Sequence, residues 1–277
     1  MKRILLVTCT AVLVFNLAAQ QLKTPAPSPG QTIKQDFGLS SIELSYSRPS
    51  VKGRKIFGDV RPFGVLWRTG ANGATTLAFG DDVTIGGVLL KAGKYGLLTI
   101  PEKENWIVII TKQLDVTSPD AYKKEDDVVR LNIKPVVLKE PVETFAMQFA
   151  NVKPNSCDLQ LTWENTLVSF PITTDIDTKV TAQINEVMNK DNRPYFNAAM
   201  YYMDNGKDLN QALAWFNKAL EQNANAFFII YQKANCLAKL GRKEEAKKTA
   251  LQGIASAKEA KNDDYVALNE KLIASLK

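Results

Sequence analysis

The chain has 277 residues, with 35 lysines and arginines against 29 acids, and it contains no histidine. Without histidine, the Ser-His-Asp and Cys-His catalytic arrangements, histidine-ligated zinc and histidine pH switches are excluded. Residues 21–175 carry 18 cations against 17 acids, and residues 176–277 carry 15 against 12. This near balance provides no basic stripe for a nucleic-acid partner.

The first 20 residues predict a secretory signal peptide, because Lys2 and Arg3 precede a short apolar run that small residues follow. No later stretch reaches the roughly 18 apolar residues that a membrane span needs. We therefore expect an exported protein, in the periplasm or outside the cell, without a membrane span. Lipidation at Cys9 is an alternative. Cys157 and Cys236 remain after cleavage, and the sequence leaves open whether they form a disulfide bridge.

Residues 21–30 are proline-rich and predict an extended lead-in, and residues 31–175 alternate polar and apolar side chains as half-buried strands do. Paired turn residues at 86–87 and 92–93 predict tight hairpins. About ten strands without a helical pattern indicate an antiparallel β-sandwich or jelly-roll-like domain. The residues predicted to face its core include Ile42, Leu44, Tyr46, Phe145, Met147, Phe149, Leu159, Leu161 and Trp163.

Residues 176–277 change to a helical period and predict a small α-helical domain. Residues of matching type recur 34 positions apart, as in Ala212 and Ala246, and this spacing resembles the tetratricopeptide repeat. The second unit is degenerate, because Ala250 and Gly253 replace the usual aromatic residue and alanine. A last helix, capped by Asn262 or Asp263, is predicted to cover the stack. The resemblance implies either a protein partner for these helices or a supporting lobe.

A local excess of cations stands out between residues 48 and 68, where the only acid is Asp59. Guanidinium forks beside an indole and amide groups are the chemistry that a carboxylate, phosphate, sulfate or acidic-sugar site requires. The structural interpretation is that these cations pair with acids such as Asp36, Asp59, Asp81 or Asp82, as arginines on sandwich loops commonly do, and that Trp67 belongs to the core. The functional hypothesis is an anion or glycan site. The candidate ligand-binding residues are Arg48, Lys52, Arg54, Trp67, Arg68 and Asn72.

Four motifs carry a family resemblance: "YSRPSVKGRKIFG", "RPFGVLWRTGANGATTLAF", "IGGVLLKAGKYGLLTIP" and "NWIVII". They resemble the domain of unknown function 2911, a family of exported bacterial proteins, over residues of about 30–175. The resemblance implies the sandwich and the export. No activity comes with it.

These patterns predict an exported binding or scaffold protein that is not an enzyme, with an anionic small molecule or glycan on the β domain and a protein partner on the helices. The alternative is an envelope polysaccharide hydrolase, in which a carboxylate pair such as Glu43 and Glu164 would act as acid and nucleophile. No metal or cofactor is expected. The acids at 125–127 lack the spaced ligands and glycine of a calcium-binding loop.

Overall fold

The computed structural model describes residues 24–190 and 193–276. The predicted signal peptide, residues 1–20, and Cys9 lie outside the described residues. The described part of the predicted lead-in contains no helix or strand before Gly30.

The chain divides into two units between Asp175 and Ile176, which we call the β unit and the helical unit. Ten strands precede this division and six α-helices follow it within the described residues. The combination of β and α structure is therefore confirmed, with strands before the change of hydrophobic period and helices after it.

The β unit consists of two antiparallel sheets. The six-stranded sheet has the order β1-β2-β3-β6-β7-β8, with β1 Gly30–Phe37, β2 Ser40–Ser47, β3 Thr75–Phe79, β6 Gly93–Ile100, β7 Trp106–Thr111 and β8 Asp127–Ile133. The four-stranded sheet has the order β5-β4-β10-β9, with β4 Val83–Ile85, β5 Val88–Leu90, β9 Val136–Ala150 and β10 Ser156–Thr173.

One hydrophobic core lies between the sheets, and the alternating residues of both sheets build it. Because successive side chains of a strand point to opposite faces, every second residue can enter this core. The predicted inward residues of β2 and β10 are all buried, and those of β9 are buried or half-buried. The buried members are Ile42, Leu44, Tyr46, Phe145, Met147, Leu159, Leu161 and Trp163.

Strand β7 is covered on both faces. Val108 and Ile110 enter the core between the sheets, whereas Ile109 packs with Leu98 and Val116 in a second cluster. Val116 belongs to the segment between β7 and β8, so this connection lies over the outer face of the six-stranded sheet.

One of the two predicted glycine turns closes a hairpin, and the other does not. Gly86 and Gly87 both have positive φ, at 60° and 79°, and they close the antiparallel hairpin of β4 and β5. The hairpin predicted at residues 92–93 is wrong, because β5 and β6 belong to different sheets. Alternation and turn residues locate strands, but they do not determine which strand the next one pairs with.

The helical unit contains α1 Asp177–Val187, α2 Tyr195–Asp204, α3 Leu209–Gln222, α4 Phe227–Lys239, α5 Lys243–Glu259 and α6 Asp263–Ser275. From α2 onward, each helix packs on the next. The small residues that the repeat pattern placed at helix contacts are buried, among them Ala199, Ala212, Ala246 and Ala250. Within the described residues, no helix combines the length and apolar character that crossing a bilayer requires.

The last two helices approach closely at Gly253. A Cβ atom added there would lie 2.7 Å from Oδ1 of Asn269, which is fully buried on α6. The predicted cap of α6 is confirmed for Asn262, whose side-chain oxygen accepts from the backbone N–H of Tyr265 at 3.1 Å. The change from alanine to glycine in the second repeat therefore makes room for Asn269.

Candidate functional site

Residues 48–74 connect β2 to β3 and hold the predicted cations; we call them the arginine loop. Its backbone is fastened to the β unit at several points. The N–H of Val51 donates to the carbonyl of Glu143 at 2.8 Å, and Trp67 and Thr99 exchange two backbone hydrogen bonds at 2.7 and 2.9 Å. Ile56 adds a buried side chain. The loop is therefore held in place at three points among its cations.

Two predicted site residues bond to backbone carbonyls. Nε of half-buried Arg48 donates to the carbonyl of Phe145 at 3.1 Å. Arg54 donates through Nε to Val51 at 3.0 Å and through one terminal nitrogen to Ser50 at 2.8 Å, so it bonds to its own loop.

Lys52 and Asn72 lie elsewhere on the loop and are exposed. The backbone N–H of Lys52 donates to a carboxylate oxygen of Glu143 at 2.9 Å. The Asn72 side chain donates to the carbonyl of Ser28 at 3.0 Å and to the hydroxyl of Ser47 at 3.4 Å. Neither lines the cleft that holds Arg68.

Trp67 is a core residue, at 3% exposure. Its ring stacks on Trp163, with ring centres 5.6 Å apart, and meets Phe145 at 5.1 Å. Its indole N–H donates to the carbonyl of Gly70 at 2.8 Å. Other side chains of the protein therefore cover most of the indole ring, and little of it is left for a ligand to contact.

Arg61 and Arg68 share a small cleft of about 70 Å³, which we call the Arg61–Arg68 cleft. Both side chains are half-buried. Arg61 lies 5.7 Å from the centre of the Trp67 ring, and Arg68 donates to the carbonyl of Thr117. The remaining wall comes from Leu66 and the segment 116–119 between β7 and β8.

The guanidinium groups in this cleft have unmet donors. The Nε atoms of both Arg61 and Arg68 are buried without a hydrogen-bond partner among the described residues. The pKa of Arg61 is lowered, first by burial and then by repulsion from Arg68 and Arg54. Three cations therefore act on one another here, and an anion would relieve the repulsion.

The described residues do not show the acid pairing that the sequence analysis considered for these cations. Among the described residues, none of the six cations between residues 48 and 68 forms an ion pair. The side chains of Arg48, Arg54 and Arg68 bond to backbone carbonyls instead. Asp82, one of the expected partners, instead binds Lys91 at 2.9 Å.

The candidate carboxylates Glu43 and Glu164 lie on strands of different sheets. Glu164 occupies a bulge of β10 with a φ of 53°, and its Oε2 accepts from the backbone N–H groups of Ile56 and Phe57 at 3.3 and 3.4 Å. It borders a second cleft together with Glu143 and Arg54. Glu164 therefore helps to hold the arginine loop.

No group of three or more residues suited to metal binding occurs among the described residues. Cys157 and Cys236 are both buried free thiols, and burial raises the pKa of Cys157 to about 11. At neutral pH the Cys157 thiol is therefore protonated and poorly nucleophilic.

The segment that walls the cleft is anchored at its far end by a three-residue cluster. The hydroxyl of Tyr122 donates to Oδ2 of Asp127 at 2.6 Å, and Arg130 donates to the same oxygen at 2.6 Å and to the tyrosine oxygen at 2.7 Å. Burial, then the hydrogen bond and charge of Asp127, raise the pKa of Tyr122 to about 12.

The raised pKa of Tyr122 predicts a loss of stability at high pH. Because the fold favours the neutral phenol, this contribution is present below the unfolded pKa of about 10 and is lost as the pH rises through about 12. We expect Tyr122→Phe to have a lower Tm than the wild type at pH 8, and the gap to shrink by pH 11. Scanning calorimetry of both proteins at pH 8 and pH 11 measures this difference in Tm. A difference that does not change with pH would contradict the prediction.

Comparison with known proteins supports the family resemblance. Residues 28–172, just over half of the chain, match the family described as "Protein of unknown function (DUF2911)". The chain belongs to the DUF2911 family. No curated protein and no solved structure matches the chain. The matched segment includes the whole arginine loop and the 116–119 wall of its cleft.

The sequence-based site omitted Arg61, although Arg61 was one of the six cations. Arg61 and Arg68 come together because the intervening turn is fastened to the β unit at Trp67, which contacts both the core and the cleft. The segment 116–119 carried no charge signal, so nothing in its composition marked it as part of the site.

Proposed function

We propose that this DUF2911 protein is an exported binding protein without catalytic activity. Its β unit holds an anionic group in the Arg61–Arg68 cleft, and its helical unit contacts a protein. The expected signal peptide supports the export, and the absence of histidine removes the commonest catalytic arrangements.

One observation carries the anion site: two half-buried guanidinium groups share a cleft, and in the described part of the chain they have no acidic partner and keep unmet Nε–H donors. Buried polar groups are normally hydrogen-bonded, and a donor left without a partner costs free energy. A bound carboxylate, phosphate or sulfate would accept these hydrogen bonds and offset the repulsion between the cations.

The size of the cleft limits what can enter it. At about 70 Å³ the cleft is small, and it suits a compact anionic group. The ligand is therefore a small oxyanion, or a larger molecule such as an acidic glycan that inserts one charged group. The apolar walls formed by Leu66, Val116 and Pro119 would reduce the screening of that charge by water.

The proposal also includes the detailed fold of each of the two units. Two antiparallel sheets around a shared core support a jelly-roll-like sandwich. Successive packed helices with buried small residues at a 34-residue spacing support a tetratricopeptide-like stack. Such a stack presents helix surfaces that suit protein contact.

A hydrolase based on Glu43 and Glu164 is the weaker proposal. That chemistry needs two carboxyl groups on either side of one scissile bond, at separations of roughly 5 to 10 Å. Glu164 instead accepts backbone N–H groups of the arginine loop, and Glu43 stands opposite Lys34 in the other sheet.

Thermal-shift measurements with phosphate, sulfate, glucuronate and soluble peptidoglycan fragments test the binding role. At matched ionic strength, we expect at least one of these to raise the Tm of the wild type. Arg61→Gln should weaken that binding roughly tenfold or more, because charge-assisted hydrogen bonds contribute about 1.5–3 kcal/mol each. Lys55→Gln is the control, since Lys55 is exposed and does not line the cleft. Equal binding by Arg61→Gln and wild type would refute the site.

A further inference from the structure

A second cationic site lies on the helical unit, in a groove of about 310 Å³ bordered by α3, α4 and α5. Two leucines contribute apolar surface, Leu213 from α3 and Leu237 from α4, and both are largely buried. The charged lining residues are Lys233 on α4 and Arg242, Glu245 and Lys248 at and within the start of α5, and Asn217, Thr249 and Gln252 complete the groove.

Lys233 is unusual among these residues. Its side chain is half-buried, and it forms no hydrogen bond or ion pair with any residue in the described ranges. Burial lowers the pKa of its ammonium group, with Glu245 acting in the opposite direction. A half-buried cation without a hydrogen-bond partner adds little to the stability of the fold, and its ammonium group is free to pair with a ligand.

The nearby acid is already engaged. Arg242 donates two hydrogen bonds to Glu245, one to each carboxylate oxygen, both at 2.6 Å. In this bidentate geometry, two N–H groups of the arginine bond to both oxygens of the carboxylate. Lys233 and exposed Lys248 therefore give the groove a positive excess that the protein itself does not neutralise.

We propose that this groove binds an acidic peptide segment, with a ligand carboxylate paired to Lys233 and an apolar ligand side chain over Leu213 and Leu237. A compact anion would use the cations and leave the apolar surface empty. A single-stranded RNA would need rings for base stacking, and none of the described residues that line the groove is aromatic. The inference rests on the proposed role of the helical unit in protein contact, and it adds the site and the class of partner.

Fluorescence anisotropy with the full protein tests the inference, using a labelled, end-blocked peptide that alternates leucine and glutamate. We expect saturable binding that weakens as salt rises, because salt screens the ion pairs. The matched peptide with glutamine in place of glutamate should bind at least tenfold more weakly, since it lacks the charge-assisted hydrogen bonds.

Two variants separate a binding role from a structural one. Lys233→Met should reduce affinity for the glutamate peptide at least tenfold and at the same time raise the Tm, because it removes a half-buried charge and keeps the aliphatic length. Lys247→Met, an exposed α5 residue outside the groove, should change neither.

Equal binding of the glutamate and glutamine peptides, undiminished binding by Lys233→Met, or full competition by inorganic phosphate would each overturn the inference. Anion binding by the β unit is measured separately on Lys233→Met. Retention of phosphate binding there, together with failure of the peptide to bind wild type, would refute the groove and leave the Arg61–Arg68 site standing. Peptide binding by the wild type, without any anion binding, would refute the Arg61–Arg68 site and leave the groove standing.

Discussion

Replacing Trp67 by alanine is expected to lower the unfolding free energy by about 3–5 kcal/mol, the range for truncating a large buried aromatic side chain. The ring lies between the arginine loop and the core, in contact with Phe145 and Trp163. Truncation would leave a cavity and remove the hydrogen bond to the carbonyl of Gly70. Urea unfolding, followed by the fluorescence of the remaining tryptophans, measures the change.

Val65→Ala is the matched control for this prediction. Val65 lies in the same loop, two residues away, and is 42% exposed. Its truncation should cost well under 1 kcal/mol, because surface substitutions are usually within about 0.5 kcal/mol. A loss below about 1 kcal/mol for Trp67→Ala would mean that the ring is not packed as described.

The second large effect is expected at Gly96, in the central strand β6. A Cβ atom there would come closer than 3.0 Å to the backbone carbonyl oxygen of Gln113, just beyond β7. A backbone atom cannot rotate away, so β6 and β7 would have to separate where Gly96 pairs with Thr111. We expect Gly96→Ala to reduce the unfolding free energy by about 3 kcal/mol, at the upper end for overpacking.

Gly30→Ala is the control for this substitution. Gly30 also belongs to a strand, but an added Cβ there meets no atom of the described residues within 4 Å. Urea unfolding should show no loss for Gly30→Ala, because the added methyl reduces the entropy of the unfolded chain without a clash. If both alanine variants were equally stable, the close approach of β6 to Gln113 would be ruled out.

Local patterns in the sequence predicted the elements and their inner faces. The alternation in β2 and β10 identified buried residues such as Ile42 and Leu161, because the pleat of a strand imposes that period. The cap at Asn262 was equally predictable, since the capping hydrogen bond reaches only three residues along the chain, to Tyr265.

Contacts between distant parts of the chain were not predictable in the same way. Arg48 bonds to the carbonyl of Phe145, 97 positions away, and a backbone carbonyl leaves no mark in the sequence. Arg68 likewise reaches Thr117 across 49 positions. The excess of cations was visible in the sequence, but which of them share a cleft depends on how the loop folds over the sheets.

The arginine Nε–H groups provide the most direct test of the Arg61–Arg68 cleft. Two-dimensional ¹⁵N–¹H spectra, recorded while sodium phosphate is added at constant ionic strength, observe each arginine separately, and Arg61→Gln and Arg68→Gln assign the two signals. We predict saturable shifts of the Arg61 and Arg68 signals, with that of Arg193, whose Nε–H donates to the carbonyl of Lys190 and which lines neither the cleft nor the helical groove, unchanged. Small, linear shifts shared by all arginines would contradict an anion site in this cleft.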